Sequence, residues 1–134
     1  HVDLFRRYFR TLGEGDGALV VHCAAGKDRT GLICALTHHI AGVHRDDTLA
    51  DYLATNNEER MAARMDFLRT YILDLTGELV DDEGLRQAAS VYPDYLDHGL
   101  SVISESHGHI DRYLEEVLEV DSSLRGKIEA RILR

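Results

Sequence analysis

The stretch Ala18-Leu-Val-Val-His-Cys-Ala-Ala-Gly-Lys-Asp-Arg-Thr-Gly31 decides how this chain is read. Residues 18–22 form a short apolar run rich in β-branched side chains, which predicts a buried strand. Residues 23–29 predict a loop of small and charged residues. Thr30 to Ala41 predicts a helix ended by Gly42. Strand, loop and helix in that order place a loop at a helix N-terminus, where free N–H groups and a partial positive charge hold anions.

The loop carries its own chemistry. Cys23 and Arg29 bracket five residues. Ala24, Ala25 and Gly26 are small, so the backbone amides from Ala24 to Arg29 can close around a phosphate dianion. Gly26 can also take the positive φ that an amide nest requires. The same field stabilises a thiolate at Cys23, whose pKa is expected to fall from about 8.5 into the range of roughly 3.5–7.5. A thiolate there is a nucleophile toward phosphorus and forms a cysteinyl-phosphate that water later hydrolyses. Arg29 offers a planar fork to two phosphate oxygens, a geometry that lysine lacks. Thr30 is placed to donate its hydroxyl to the sulfur. His22 reads as a group that orients the loop, because a thiol with a depressed pKa needs no base. Asp28 is a candidate general acid for the leaving oxygen; its other reading is a structural aspartate that holds the loop. Lys27 adds positive charge at the rim, either for further phosphates on a substrate or for local potential alone.

Working outward, helical spacing recurs on both sides. Leu4, Phe5, Tyr8, Phe9 and Leu12 predict a helix capped by Asp3 and stopped at Gly13. Asp46 or Asp47 is expected to cap a helix carrying Leu49, Tyr52 and Leu53. Met61, Met65, Leu68, Ile72 and Leu75 predict a long amphipathic helix stopping at Gly77, with the two methionines in the core. Pro93 fits a first helical position, with Leu96, Leu100 and Ile103 following. Further helices are expected over 110–118 and from Asp121 or Ser122 onward. Asp81-Asp-Glu83 predicts a solvated helix start. Only one strand is recognisable, and a lone strand leaves its backbone groups unpaired. Its neighbours are therefore expected before residue 1, in an upstream segment of the same domain or in a companion chain. The predicted fold class is α/β, with one central strand plus several helices within 1–134. That places a phosphate loop at 22–31 and a helical region at 46–134, as the C-terminal portion of a single domain.

Bulk properties narrow the function. The chain has 134 residues, 44% hydrophobic, with a net charge of -9 and a pI near 5.2. That acidity excludes general affinity for nucleic acid or an anionic membrane surface. No apolar run approaches the roughly 18 residues of a membrane span. Two cysteines do not make a disulfide framework, so Cys23 and Cys34 read as free thiols, Cys34 as a small core residue. His38-His39 and His107-x-His109 lack metal-ligand company and read as surface or helix-end positions. No metal and no cofactor are expected.

The Cys-x5-Arg spacing alone is shared with rhodanese-like and arsenate-reducing proteins. The fuller string His22-Cys-Ala-Ala-Gly-Lys-Asp-Arg-Thr-Gly31 resembles the signature of the bacterial tyrosine-protein phosphatase family. More loosely, it is similar to cysteine-dependent phosphatases at large. Asp51-Tyr-Leu-Ala-Thr-Asn56 and the stretch from Tyr95-Leu96 through His107-Gly-His-Ile-Asp-Arg-Tyr-Leu114 also resemble segments of that family. The resemblance implies an α/β phosphatase fold with a central sheet, of which this chain holds the C-terminal part. It implies Cys23 as nucleophile, Arg29 as phosphate ligand and Asp28 as an acid carried by the loop. It implies phosphotyrosine proteins as substrates, extending in some members to phosphoserine, phosphothreonine or phosphoinositides. Some members cover the pocket with a helical lid, for which the resemblance implies residues 57–95 as the candidate. An inactive phosphate-binding module is the remaining alternative.

Overall fold

A computed structural model describes residues 1–133, and among them every regular element is helical. In order these are α1 (Val2–Glu14), α2 (Asp28–Ile40), α3 (Arg45–Leu53), a 3-10 turn (Ala54–Asn56), α4 (Glu58–Thr76), α5 (Asp82–Ala89), α6 (Pro93–His107), α7 (Ile110–Arg112) continuing as a π-helical turn (Tyr113–Val117), and α8 (Ser122–Ile132). The expected α/β class is therefore corrected to all-α. Residues 18–22 form no strand. Val20 is 83% exposed, and only Val21 of this run leans on the core. The reason is non-local. β-branched composition favours extended backbone, but a strand exists only where a second strand accepts its hydrogen bonds, and none is present among the described residues.

The helices follow their local signals with instructive departures. α1 runs through Gly13 to Glu14. Gly13 serves close packing instead of termination: a Cβ there would meet Leu124 Cδ1 of α8 at 2.5 Å. Arg131 of α8 closes the end of α1 by donating to the carbonyls of Thr11, Leu12, Gly15 and Gly17. α3 is capped by the His44 ring, not by Asp46 or Asp47; its Nδ1 accepts from the Asp46 amide at 3.3 Å. Asp81 and Asp121 cap α5 and α8 through single carboxylate oxygens, each 2.8 Å from an amide. Pro93 occupies the first turn of α6, and Gly77 ends α4 at φ 75.

α2 is the central helix. Ile33, Leu36 and Ile40 join a core with Phe9 and Leu12 of α1, Ile103 of α6, Leu114 and Leu118 around the π turn, and Ile128 of α8. Ala35 joins a second cluster with Tyr52, Val91 and Leu96. A helix buried toward two clusters carries apolar side chains around most of its circumference, as residues 32–36 do. α4 differs from the expectation drawn from its spacing. Met61 is buried at 2% exposure and Met65 is partly buried, but Phe67, Tyr71 and Leu75 face solvent. Met61, Leu85, Ala89 and Val91, all inside the 57–95 segment, are buried.

Candidate active site

The site forms where residues 22–27 enter α2. Gly26 adopts φ 62, the left-handed conformation expected of an amide nest. Lys27 is the N-cap of α2, and its side chain caps no amide. The first-turn N–H groups are thus left for another acceptor. The Cys23 amide donates to Thr30 Oγ1 at 2.9 Å, and the Gly26 amide donates to the Cys23 carbonyl at 3.2 Å. These two bonds fold the loop back over the helix start.

The cysteine is electrostatically distinct. Burial acts to raise its pKa, but the Thr30 hydroxyl and the backbone N–H groups of Thr30, Lys27 and Gly26 outweigh it. Together they lower the thiol from 9.0 to about 6. Cys34, deeper along α2, shows the contrast. Burial, with Asp51 nearby, pushes its thiol upward. It packs beside the core as a small apolar residue, matching its sequence reading. Because the folded pKa of Cys23 lies below its ordinary value, its thiolate favours the folded chain in full above pH 9. That contribution declines as the pH falls and is lost through about pH 6. Alkylation by iodoacetamide, read by peptide mass spectrometry, is expected to be half-maximal at Cys23 near pH 6. Thr30→Val should move that midpoint upward, since it removes a donor to the thiolate. A midpoint unchanged by Thr30→Val would contradict this account.

Arg29 and Asp28 sit on the first turn of α2, both exposed. Cys23 lines a cleft of about 120 Å³ between the loop and Leu4, Phe5 and Tyr8 of α1. Asp28 lines another, of about 210 Å³, walled by Leu32, Tyr52, Tyr95, Leu96 and Gly99. Arg29 is common to both clefts. Arg29 Nη1 also reaches His1 Nε2 at 3.5 Å. The His22 ring lies exposed, its Nδ1 3.3 Å from the Cys23 carbonyl oxygen, so it touches the loop without reaching the sulfur.

Lys27 departs from a free rim charge. Its side chain is only 12% exposed. Nζ bonds Asp28 Oδ1 at 3.0 Å and the Ser90 carbonyl at 3.3 Å, and lies 5.9 Å from the centre of the Tyr95 ring. Sequence reasoning missed this second layer. Tyr52 packs its ring onto Gly31, where a Cβ would overlap it. Burial, then Asp28 and Tyr95 nearby, raise the Tyr52 phenol to about 12. The signal was present: Tyr52 and Asn56 belong to the Asp51–Asn56 segment, and Tyr95 to another segment singled out by resemblance.

One histidine of each pair makes a polar contact at a helix end, while His38 is partly buried. His39 Nε2 meets Asp111 at 3.0 Å, and His109 Nδ1 accepts from the Arg112 amide at 3.1 Å. Among the described residues no three His, Cys, Asp or Glu side chains converge as metal ligands. No helix among them is long and apolar enough to cross a membrane.

Comparison with known proteins points to a family. A Cupriavidus necator protein inferred to be a tyrosine-protein phosphatase is 35% identical over 92% of this chain and 44% of its own length. The triple specificity protein phosphatase PtpB of Mycobacterium tuberculosis is 32% identical over 79% of this chain and 41% of its own. A tyrosine-protein phosphatase of Nostoc commune is 43% identical over 36% of this chain and 17% of its own. The chain thus spans less than half the length of these relatives. The model of the tyrosine phosphatase family matches residues 1–134, and the chain belongs to that family.

Proposed function

We propose that this chain carries the phosphate-handling centre of a cysteine-dependent protein-tyrosine phosphatase. The observation that carries the reading is a thiol brought to about 6 at a helix N-terminus that also bears Arg29 and Asp28. The thiolate of Cys23 attacks phosphorus as the ester P–O bond breaks. Asp28 in its protonated form gives its proton to the departing oxygen, and Arg29 holds the charge on the remaining phosphate oxygens. Water then breaks the P–S bond, its proton passing to the Asp28 carboxylate, and phosphate leaves with the thiolate restored.

Tyrosine is favoured by the cleft beside Asp28. Its walls of Tyr52, Tyr95, Leu32 and Leu96 suit a phenol ring. A phosphoinositide presents further phosphates that need free cationic donors, whereas Lys27 is already engaged by Asp28 and Ser90. The M. tuberculosis relative is named for triple specificity, so phosphoserine and phosphothreonine belong in the test. The complete protein is expected to release phosphate from a phosphotyrosine peptide faster than from phosphoserine peptides or phosphoinositide vesicles. Release from none of them sinks the proposal, and binding without release leaves a phosphate-binding module. Asp28→Asn should slow the phosphotyrosine peptide by about 10²–10³-fold, the usual worth of a general acid. It should slow p-nitrophenyl phosphate much less, because p-nitrophenolate leaves without a proton. Equal losses on both substrates would assign Asp28 a purely structural part.

A further inference from the structure

Ala89 closes α5, and Ser90, in extended conformation, leads with Val91 toward α6; all three are buried, Ala89 at 0%, Ser90 at 9% and Val91 at 1% exposure. Buried backbone outside helix or sheet must find its hydrogen bonds elsewhere. Here three successive carbonyls are each taken by a different side chain. Arg64 Nη1 donates to Ala89 O at 2.9 Å, Lys27 Nζ to Ser90 O at 3.3 Å, and Asn56 Nδ2 to Val91 O at 2.8 Å. Asn56 also accepts from the Val91 amide at 2.9 Å, so its carboxamide pairs with both backbone groups of one residue. Arg64 additionally bonds Thr55 O at 3.2 Å, tying the turn that carries Asn56 to the same segment.

This arrangement reaches the phosphate loop. The carbonyl next to Val91 holds the ammonium of Lys27, and that ammonium holds Asp28 Oδ1. Lysine occurs at only two positions in the chain, and basic residues are otherwise arginine. A compact ammonium with donors in three directions bonds a carbonyl and a carboxylate from one atom, whereas a planar guanidinium spreads its donors in a fixed fork. An almost buried ammonium must be fully partnered. We propose that Asn56 is a positioning residue of the active site: by fixing Ser90 and Val91 it anchors Lys27, which orients Asp28 with one oxygen engaged and the other free for the leaving group.

The inference rests on the phosphatase reading for its kinetic consequence and on geometry alone for the anchor, so two experiments separate them. In the complete protein, Asn56→Ala should lower kcat/KM for a phosphotyrosine peptide by about tenfold, the scale of the two neutral hydrogen bonds that Asn56 makes to the Val91 backbone. The loss should fall in kcat more than in KM. In a Lys27→Met background the same Asn56→Ala change should cost less than about twofold, since the residue through which it acts is gone. Equal losses in both backgrounds would make Asn56 a structural strap only and overturn the proposal. Independently of any change at Asn56, the Lys27 ammonium should give a slowly exchanging ¹⁵N–¹H signal, assigned by its loss in Lys27→Met. A rapidly exchanging ammonium overturns the anchor, whether or not the Asn56 variant folds. A wild-type protein that shows the slow ammonium yet turns over no phosphoester removes the phosphatase reading and leaves the anchor standing.

Discussion

Cys23→Ser is expected to lower turnover of p-nitrophenyl phosphate on the order of 10⁴-fold or more, the scale on which loss of a nucleophile acts. The change is one atom, and the loop geometry should survive it. What is lost is the anion. Thr30 and the amides of Thr30, Lys27 and Gly26 bring the thiol to about 6, so Cys23 is largely thiolate at neutral pH. An alcohol starts so much higher that the same donors leave it protonated, and a protonated hydroxyl is a poor nucleophile toward a phosphate dianion. The variant should still bind phosphate, because the amides and Arg29 remain. Steady-state assay with the complete protein, beside circular dichroism to confirm folding, checks this. Activity within tenfold of wild type would show that the nucleophile lies elsewhere.

Arg29→Lys is expected to cost about 10²–10³-fold in kcat/KM, the typical worth of one preorganised donor to a developing oxyanion. Total charge is conserved, so the loss isolates geometry. Arg29 lines both the Cys23 cleft and the Asp28 cleft, and its fork can hold two phosphate oxygens between nucleophile and acid. A lysine ammonium supplies a point charge without that registry. If the fork acts mainly in the transition state, kcat falls more than KM rises. A variant indistinguishable from wild type would mean that positive charge alone suffices and that the straddling geometry is wrong.

Much of the site was legible because its determinants are local. Gly26 needed only its missing Cβ to be placed at positive φ, and Cys23, Asp28, Arg29 and Thr30 are set by a handful of dihedral angles at one helix start. Helix positions were legible for the same reason. The helical spacing of Phe5, Phe9 and Leu12, the cap at Asp121 and the stop at Gly77 are all encoded within a few residues of where they act. Even so, the cap of α3 fell to His44, whose ring accepts from the Asp46 amide two residues on, and Gly13 proved to be a packing site because Leu124 of the remote α8 lies against it.

What the sequence by itself determined is the proposed reactive unit: a thiol, an amide nest, an arginine and a carboxylate on one loop-to-helix junction, in a chain too acidic to hold anions by bulk charge. Tertiary structure alone decided two other things. It left 18–22 without a strand, since β structure is a pairing between distant segments and composition supplies only one partner. And it drew Lys27 inward, through Ser90 sixty-three residues away, making a rim charge into a buried tether. Both outcomes depend on where remote backbone groups come to lie, and no pattern local to residues 18–31 specifies that.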